Sequence, residues 1–316
     1  MKKIIYNKFG GVEELEMTDS DIPEITAATV LVKVKAVSIN PIDWKIRQGE
    51  MKLMSGAKFP KGVGIDFSGV VEKAGSAIGK FKKGDEIFGS IDQFKGGALA
   101  QYVLVAEKDI SLKPKTLSFE KASALPVVGF AALQIFDELI TVHEGMEVLI
   151  NGATGGIGMF ATQIARQKGA IVTAVVSEKG IDLAKKWGSD HIIDYKKVNI
   201  LESNKQYDVF IDLSGKTPFN KAKRIMRSPS VYINTVPGPK QIIGSFLHNL
   251  FSKKKYKVLL SKPSALYLEK LAQYASAGMD VVVGKTYDLA AFKEAYTEMP
   301  KSGVLGKAVF TVKEMY

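Results

Sequence analysis

Along the first third of the chain, apolar positions recur in short runs of β type. Val30–Ala36, Phe67–Lys73, Glu86–Ser90 and Ala100–Ala106 are such runs, split by turn signals such as Lys83-Gly84-Asp85 and Lys95-Gly96-Gly97. Segments of this kind at close spacing predict a β-rich, barrel-like domain up to about Lys115. From about Leu117 the rhythm changes. Compact apolar runs at Val148–Ile150, Ile171–Val176, His191–Tyr195, Asp208–Leu213 and Val231–Val236 alternate with helix-length segments, one ending at Lys168 and another over Gly180–Trp187. Strands that are apolar almost throughout and joined by helices predict a parallel sheet buried on both faces. A helix is expected over Ala265–Ala277, leading to Val281–Val283, and the β-like run Gly306–Val312 is expected to rejoin the first domain. The expected domains are residues 1–116, completed by 280–316, and residues 117–279.

Length agrees, because 316 residues suit two domains at ~150 residues each. Composition then narrows the chemistry. Hydrophobic residues make up 46% and charged residues 24%, which argues against disorder. No cysteine is present, so disulfides, thiolate zinc sites, iron–sulfur clusters and a cysteine nucleophile are excluded. The three histidines, His143, His191 and His248, lie far apart and read as structural. The formal net charge of +11 favours anionic partners in general. The lysines read as scattered over a solvated surface, and no basic stripe with interleaved aromatics stands out, so no nucleic-acid partner is expected. The longest uncharged apolar stretch, Ala122 to Phe136, holds Pro126 and Gly129 and is too short to span a bilayer. It reads as the start of a buried helix near a domain joint. The opening residues carry no long apolar run of the export type. The expectation is a cytoplasmic chain without integral membrane contact.

The most specific chemical signal is Asn151-Gly152-Ala153-Thr154-Gly155-Gly156-Ile157-Gly158, lying between the run Val148-Leu149-Ile150 and a helix from about Met159. A tight turn and a close approach to a pyrophosphate need residues without Cβ, and the helix that follows offers free N–H groups to the anion. In this strand–turn–helix context the glycines predict dinucleotide binding, with a purely structural turn as the alternative. At the end of the second strand stand Ser177, Glu178 and Lys179. A hydroxyl and an ammonium suit a 2′-phosphate, hence NADPH. Glu178 is the competing feature, since a shift of one residue would make it the ribose-binding acid of an NADH site. Ser214 and Gly215 follow the fourth strand, and Thr235 and Val236 end the fifth, at carboxyl ends where doubly wound sheets bind ligands. The segment Gly238 to Tyr256 has amphipathic helical spacing. It reads as a substrate lid, a dimer contact, a membrane-surface anchor or core packing.

Several motifs together carry a family resemblance. They are Ser38-Ile39-Asn40-Pro41-Ile42-Asp43-Trp44-Lys45, Gly64-Ile65-Asp66-Phe67-Ser68-Gly69-Val70-Val71, Ala124-Leu125-Pro126-Val127-Val128-Gly129, the glycine loop and Thr235-Val236-Pro237-Gly238-Pro239. Over nearly its full length the chain resembles the zinc-independent quinone oxidoreductases of the medium-chain dehydrogenase/reductase superfamily. Within them it looks most like the enone and alkenal reductases related to the chloroplast-envelope quinone oxidoreductase homologue. The resemblance implies an α/β fold, with a β-rich GroES-like catalytic domain and a doubly wound Rossmann cofactor domain. It also implies hydride transfer from NADPH to a small-molecule quinone or α,β-unsaturated carbonyl. Reduction of enoyl thioesters or other activated alkenes is an alternative on the same fold. A cofactor-responsive RNA-binding or regulatory protein is an alternative of another class.

The same resemblance assigns residues. Gly155, Gly156, Ile157 and Gly158 contact the pyrophosphate, within a loop that includes Gly152 and Thr154. Ser177, Lys179 and Tyr195 hold the adenosine 2′-phosphate end, with Ser214, Thr235 and Val236 at the neighbouring strand ends. Lys307 is expected to reach the cofactor across the domain cleft. Asn40 is expected on the nicotinamide side, and Asp43 is expected to orient its loop. Lys45 is the leading candidate to stabilise the enolate or quinol oxygen, against a plain surface lysine. Zinc-dependent relatives place a Cys where Asn40 stands and a His where Ile65 stands, so no metal is expected. Relatives often have a Thr at the position of Ala131, and Trp44 is bulky beside the expected cleft. Related enzymes usually pair, so a homodimer is left open.

Overall fold

The computed structural model describes residues 1–301 and 303–313. The chain forms two compact units, one built from residues up to Val127 together with those from Pro263 onward, the other from Val128–Lys262. The first unit opens with strands β1 (Lys2–Tyr6), β2 (Glu16–Asp19) and β3 (Thr29–Ser38), followed by helices α1 (Pro41–Arg47) and α2 (Lys52–Ser55). Next come β4 (Lys61–Gly62), β5 (Asp66–Ala74), β6 (Glu86–Ser90), β7 (Tyr102–Ala106), β8 (Ile110–Leu112) and helix α3 (Phe119–Ser123). Helix α4 (Pro126–Gln134) begins where the chain passes from one unit to the other.

The second unit continues with β9 (Glu147–Asn151), α5 (Gly156–Gln167), β10 (Ile171–Val176), α6 (Ile181–Lys186), β11 (His191–Asp194) and β12 (Tyr207–Asp212). It ends with α7 (Phe219–Ala222), β13 (Met226–Asn234), α8 (Pro239–Phe251) and β14 (Lys254–Val258). Its six strands are all parallel, in the order β11-β10-β9-β12-β13-β14. The order runs outward in both directions from the β9/β12 pair, which is the doubly wound arrangement with its switch point between those strands. Burial on both faces explains the apolar runs, since Val148, Leu149, Ile150, Phe210 and Ile211 are all inaccessible. Helix α5 covers one face with Met159, Phe160, Ala161 and Ile164.

The chain then returns to the first unit through α9 (Ala265–Ser276), β15 (Val283–Asp288), α10 (Phe292–Glu298) and β16 (Lys307–Thr311). That unit holds a seven-stranded sheet, β15-β16-β3-β5-β6-β8 with β7 also paired to β3, and a small sheet β2-β1-β4. Strand β16 lies antiparallel to β3, so the end of the chain does rejoin the first domain. The residues expected over 314–316 lie outside the described ones. The core gathers Ile4, Val32, Phe67, Ile87, Leu99, Tyr296 and Phe310, and Trp44 packs against it.

The division differs from the expected one. Residues 117–127 stay with the first unit because α3 packs on β3 and β5, and α9 joins it by packing on β8. Helix α9 buries Tyr267, Leu268, Leu271 and Ala275 and packs on β8 of the first unit. Two features had no clear sequence signal. The sheet β2-β1-β4 is short and half polar, and β14 is a lysine-rich edge strand that overlaps the end of the Gly238–Tyr256 segment read as helical.

Strand β5 approaches β3 closely at Gly69, where a Cβ would lie 2.2 Å from the carbonyl oxygen of Lys33. Gly69→Ala is therefore expected to splay the central strand pair and lower the unfolding free energy by about 1–3 kcal/mol, read from denaturant titration.

Candidate active site

In the second unit the candidate site begins where β9 runs into α5. Gly152 takes a left-handed φ of 92° that a side chain would oppose. Its N–H and that of Ala153 both donate to the Val175 carbonyl of β10, pinning the turn to the neighbouring strand. A Cβ on Gly158 would lie 2.2 Å from the Gly152 carbonyl oxygen. Glycine there lets α5 close down on the loop. The N-cap of α5 is Gly155, which supplies no side-chain hydrogen bond. The first N–H groups of this helix thus keep their donors and their positive dipole end for an anion. Gly155, Gly156 and Ile157 are half-buried, while Gly158 is buried. Thr154 is buried, and its Oγ1 would lie 2.4 Å from a Cβ on Gly180. It packs the loop against the turn after β10.

Ser177, Lys179 and Tyr195 stand at the carboxyl ends of the adjacent strands β10 and β11, whose last residues Val176 and Asp194 pair. Lys179 and Tyr195 are exposed and Ser177 is half-buried. Glu178, the competing acid, lies 3.8 Å from Lys197 Nζ. Lys197 is a cation at this corner that sequence reasoning did not single out.

At the ends of β12 and β13 a buried carboxylate organises the loops. Asp212 Oδ1 accepts from Asn151 Nδ2 at 3.1 Å and from Ser214 Oγ at 2.8 Å. Its Oδ2 accepts from the Thr217 N–H at 3.1 Å and from the Tyr232 hydroxyl at 3.2 Å. Thr235 Oγ1 donates to the Asp212 carbonyl at 3.1 Å. Burial, reinforced by Asp212, pushes the Tyr232 phenol well up, so it stays a donor. Ser214 is exposed, but its hydroxyl is committed to Asp212 and Asn151. Val236 is exposed beside Thr235. The structure therefore gathers Gly152–Gly158, Ser177, Lys179, Tyr195, Ser214, Thr235 and Val236 along the carboxyl edge of one sheet.

The remaining predicted residues belong to the first unit, where Asn40, Asp43 and Lys307 form a buried polar cluster. Asn40 caps α1 in a reciprocal box with Asp43, and the Asn40 N–H donates to Asp43 Oδ2 at 2.9 Å. The Asn40 amide nitrogen donates to Asp66 Oδ2 at 3.0 Å, and its oxygen accepts from Lys307 Nζ. Lys307 Nζ also donates to the Ile39 carbonyl at 2.7 Å. Tyr296 donates to Asp43 Oδ2 at 3.1 Å, with the Arg47 guanidinium 5.6 Å from its ring centre. Asn40 is only 1% exposed. Burial pushes the carboxyls of Asp43 and Asp66 up, and the nearby Lys307 charge pulls both back down. Burial also pulls the Lys307 ammonium down, against the attraction of Asp66 and Asp43. Asp43 Oδ1 and Asp66 Oδ1 have no hydrogen-bond partner among the described residues.

Lys307 was expected to meet the cofactor, but it is only 4% exposed, with its ammonium bound to Asn40 and Ile39. It acts as the internal counter-ion of two buried acids. Asp43 closes the capping box at the N-terminus of α1. Lys45 lies half-buried on α1, and no hydrogen bond engages its ammonium among the described residues. Sequence reasoning missed the partners Asp66, Tyr296 and Arg47, and the Asn151–Asp212 pair. Only the placement of Asp66 in a quoted motif and of Asp212 at a strand end hinted at them. Ala131, the position where relatives often carry Thr, is buried in α4.

Comparison with known proteins agrees with this architecture. Residues 26–115 match the alcohol dehydrogenase GroES-like domain, and residues 187–310 match the zinc-binding dehydrogenase model. The mitochondrial NAD(P)H oxidoreductase RTN4IP1 of Bos taurus is 31% identical, over 98% of this chain and 88% of its own. The chloroplastic NADPH-dependent alkenal/one oxidoreductase of Arabidopsis thaliana is 35% identical, over 72% of this chain and 60% of its own. Among solved structures, the quinone oxidoreductase from Coxiella burnetii aligns with a TM-score of 0.90 at 28% identity, covering 99% of both chains. The chain belongs to the quinone oxidoreductases of the medium-chain dehydrogenase/reductase superfamily, with the GroES-like and Rossmann-type units of that group.

The buried cluster has a defined pH signature. A carboxyl whose folded pKa exceeds its unfolded one binds more protons when folded. Its contribution to stability is then greatest at low pH and is lost as pH rises through that interval. Removing Lys307 removes the pull that lowers Asp43 and Asp66, so both rise further and the interval widens. Lys307→Met is expected to cost about 3–5 kcal/mol near pH 7. The deficit against the parent should shrink toward about pH 5, as measured by denaturant midpoints at the two pH values.

Proposed function

We propose that this oxidoreductase uses NADPH to reduce quinones or α,β-unsaturated carbonyls without a resident metal. The observation that carries this reading is the uncapped N-terminus of α5 behind the glycine turn, flanked at the next strand ends by Ser177, Lys179 and Tyr195. The donors fit a dinucleotide. The first N–H groups of α5 would hold the pyrophosphate, and the Lys179 ammonium with the Ser177 hydroxyl would hold a 2′-phosphate. The ion pair of Glu178 with Lys197 supports phosphate over a ribose acid at this corner. The Arabidopsis relative is named for NADPH and for alkenals and enones, while the bovine relative's name admits either nicotinamide.

Donor chemistry supports the metal-free reading. The position of the cysteine ligand in zinc-dependent relatives is Asn40, whose amide is committed to Asp66 and Lys307. The position of the histidine ligand is Ile65, which is buried and apolar. Among the described residues no group of three or more His, Cys, Asp or Glu is arranged to hold an ion.

Reduced nicotinamide, when bound, supplies a hydride. The chain must then stabilise the negative charge that develops on the acceptor oxygen. Lys45 takes that role. Its ammonium is not engaged by a hydrogen bond among the described residues, and its helix is fixed at the N-terminus by the Asn40–Asp43 box and by Tyr296. Solvent delivers the proton that completes the product. Asn40, Asp43 and Lys307 position this element without meeting substrate.

NADPH oxidation with a panel of quinones, alkenals, enones and enoyl thioesters, in the presence of a chelator, tests the reading. Turnover with quinones or alkenals that ignores the chelator and exceeds the NADH rate supports it. No uptake of NADPH in titration calorimetry, or turnover that needs added zinc, overturns it. Lys45→Ala is expected to lower kcat by roughly 10- to 100-fold with little change in the KM for NADPH. An unchanged kcat would remove the role assigned to Lys45.

A further inference from the structure

The positive surplus of the chain is not scattered, as a first reading of the lysines suggests. Between Leu213 and Leu268 there are eleven Lys and Arg residues and no Asp or Glu, which accounts for the whole formal charge of +11. Elsewhere the two signs balance. This stretch includes α7, β13, α8 and β14, all in the second unit.

Helix α8 lies within it and presents an unusual face. Ile243, Phe246, Leu247, Leu250 and Phe251 are all exposed, Phe251 to 92%. Lys240, Ile243, Leu247, Leu250 and Phe251 fall on one side at helical spacing, with Phe246 at its flank. The opposite side is fastened to the edge strand. Asn249 Nδ2 donates to the Tyr256 carbonyl, and Asn249 Oδ1 accepts from the Tyr256 N–H, both at 2.7 Å. His248 Nε2 lies 2.9 Å from the Lys254 carbonyl. The apolar face therefore points away from the sheet that anchors the helix. The same Asn249 contacts occupy outward backbone groups of β14 that strand addition would need.

Basic groups surround this face. Phe219 of α7 meets the His248 ring at 4.9 Å and stacks on Tyr256 at 5.1 Å. Lys254 Nζ donates to the Lys223 carbonyl at 2.8 Å. The turn that carries Lys221, Lys223 and Arg224 is thereby held beside α8 and β14, with those three side chains exposed. Lys240 and Lys253 flank the two ends of α8 and are also exposed. None of the five forms an ion pair among the described residues. No helix among the described residues is long and apolar enough to cross a membrane.

We propose that the outward face of α8, with this basic rim, docks the protein on an anionic phospholipid surface. An apolar helix face lying in the headgroup boundary supplies one attraction, and cations over anionic headgroups supply the second. The face is mainly aliphatic with two phenylalanines, which suits acyl chains better than stacked bases. The complete absence of acids over the stretch suits a surface of one sign.

The test is co-sedimentation of the full-length protein with vesicles of phosphatidylcholine alone or of phosphatidylcholine and phosphatidylglycerol in equal parts. The expected result is roughly tenfold stronger partitioning onto the anionic vesicles, weakened by salt. Phe246→Ser with Leu247→Ser and Phe251→Ser, or Lys221→Gln with Lys223→Gln, Arg224→Gln, Lys240→Gln and Lys253→Gln, should each remove about tenfold of it. All of these side chains are exposed, so the melting temperature should stay close to the parent's. Phe251→Trp should show a blue-shifted emission with the anionic vesicles only. Equal binding to both vesicle types, or no loss in either variant, overturns the proposal. A serine variant that turns a dimer into a monomer while the parent ignores vesicles would assign the face to a second copy instead. Salt-sensitive RNA retention by the same cations, without vesicle binding, would overturn it as well.

Discussion

A lysine ammonium and two carboxylates sealed from water hold the first unit in register. Lys307 comes from the last described strand, Asp43 from the first turn of α1 and Asp66 from the start of β5. None of these charges is stable alone in an apolar interior. Together, with the Asn40 amide between them, they fix where β16 must lie and how α1 must leave β3. The arrangement is rigid for a physical reason. Each group would have to be neutralised or hydrated before any of the others could move. The helix bearing Lys45 inherits that fixity at its N-terminus.

The second unit solves a related problem in another way. A dinucleotide-type turn must leave backbone donors free on one side while its own strand ends remain satisfied. Asp212 meets the second requirement by accepting from Asn151, Ser214, Thr217 and Tyr232, which ties the loops after β9 and β12 to each other. The glycines meet the first by leaving α5 without a side-chain cap. The carboxyl edge of the sheet is thus closed where the protein needs structure and open where a phosphate can approach.

Much of this was legible before any coordinates. The apolar runs at Val148–Ile150, Ile171–Val176 and Asp208–Leu213 became β9, β10 and β12 within a residue or so, because strands buried on both faces have no polar register to hide them. The glycine spacing located its loop for a similar reason, since steric exclusion acts residue by residue. The buried cluster was not legible. Lys307 looks like a strand-edge lysine until the antiparallel pairing of β16 with β3 carries it between acids far away in sequence. Helix α9 was assigned to the wrong unit because its stripe shows that it packs, not what it packs on. Strand β14 was hidden because its lysines donate to backbone carbonyls instead of pointing into water, and no sequence pattern marks that difference.

The route of the chain through its two units has a consequence for synthesis. The second unit is one continuous stretch and can close as soon as it has left the ribosome. The first must wait, because β16, one of the strands that pair with β3, is translated only after the whole second unit. Until it emerges, Asp43 and Asp66 lack the Lys307 charge, and the Ala36–Ser38 stretch of β3 stays open to stray strands. Nascent chains arrested shortly before Lys307 should therefore depend more on chaperones than chains that have passed β16.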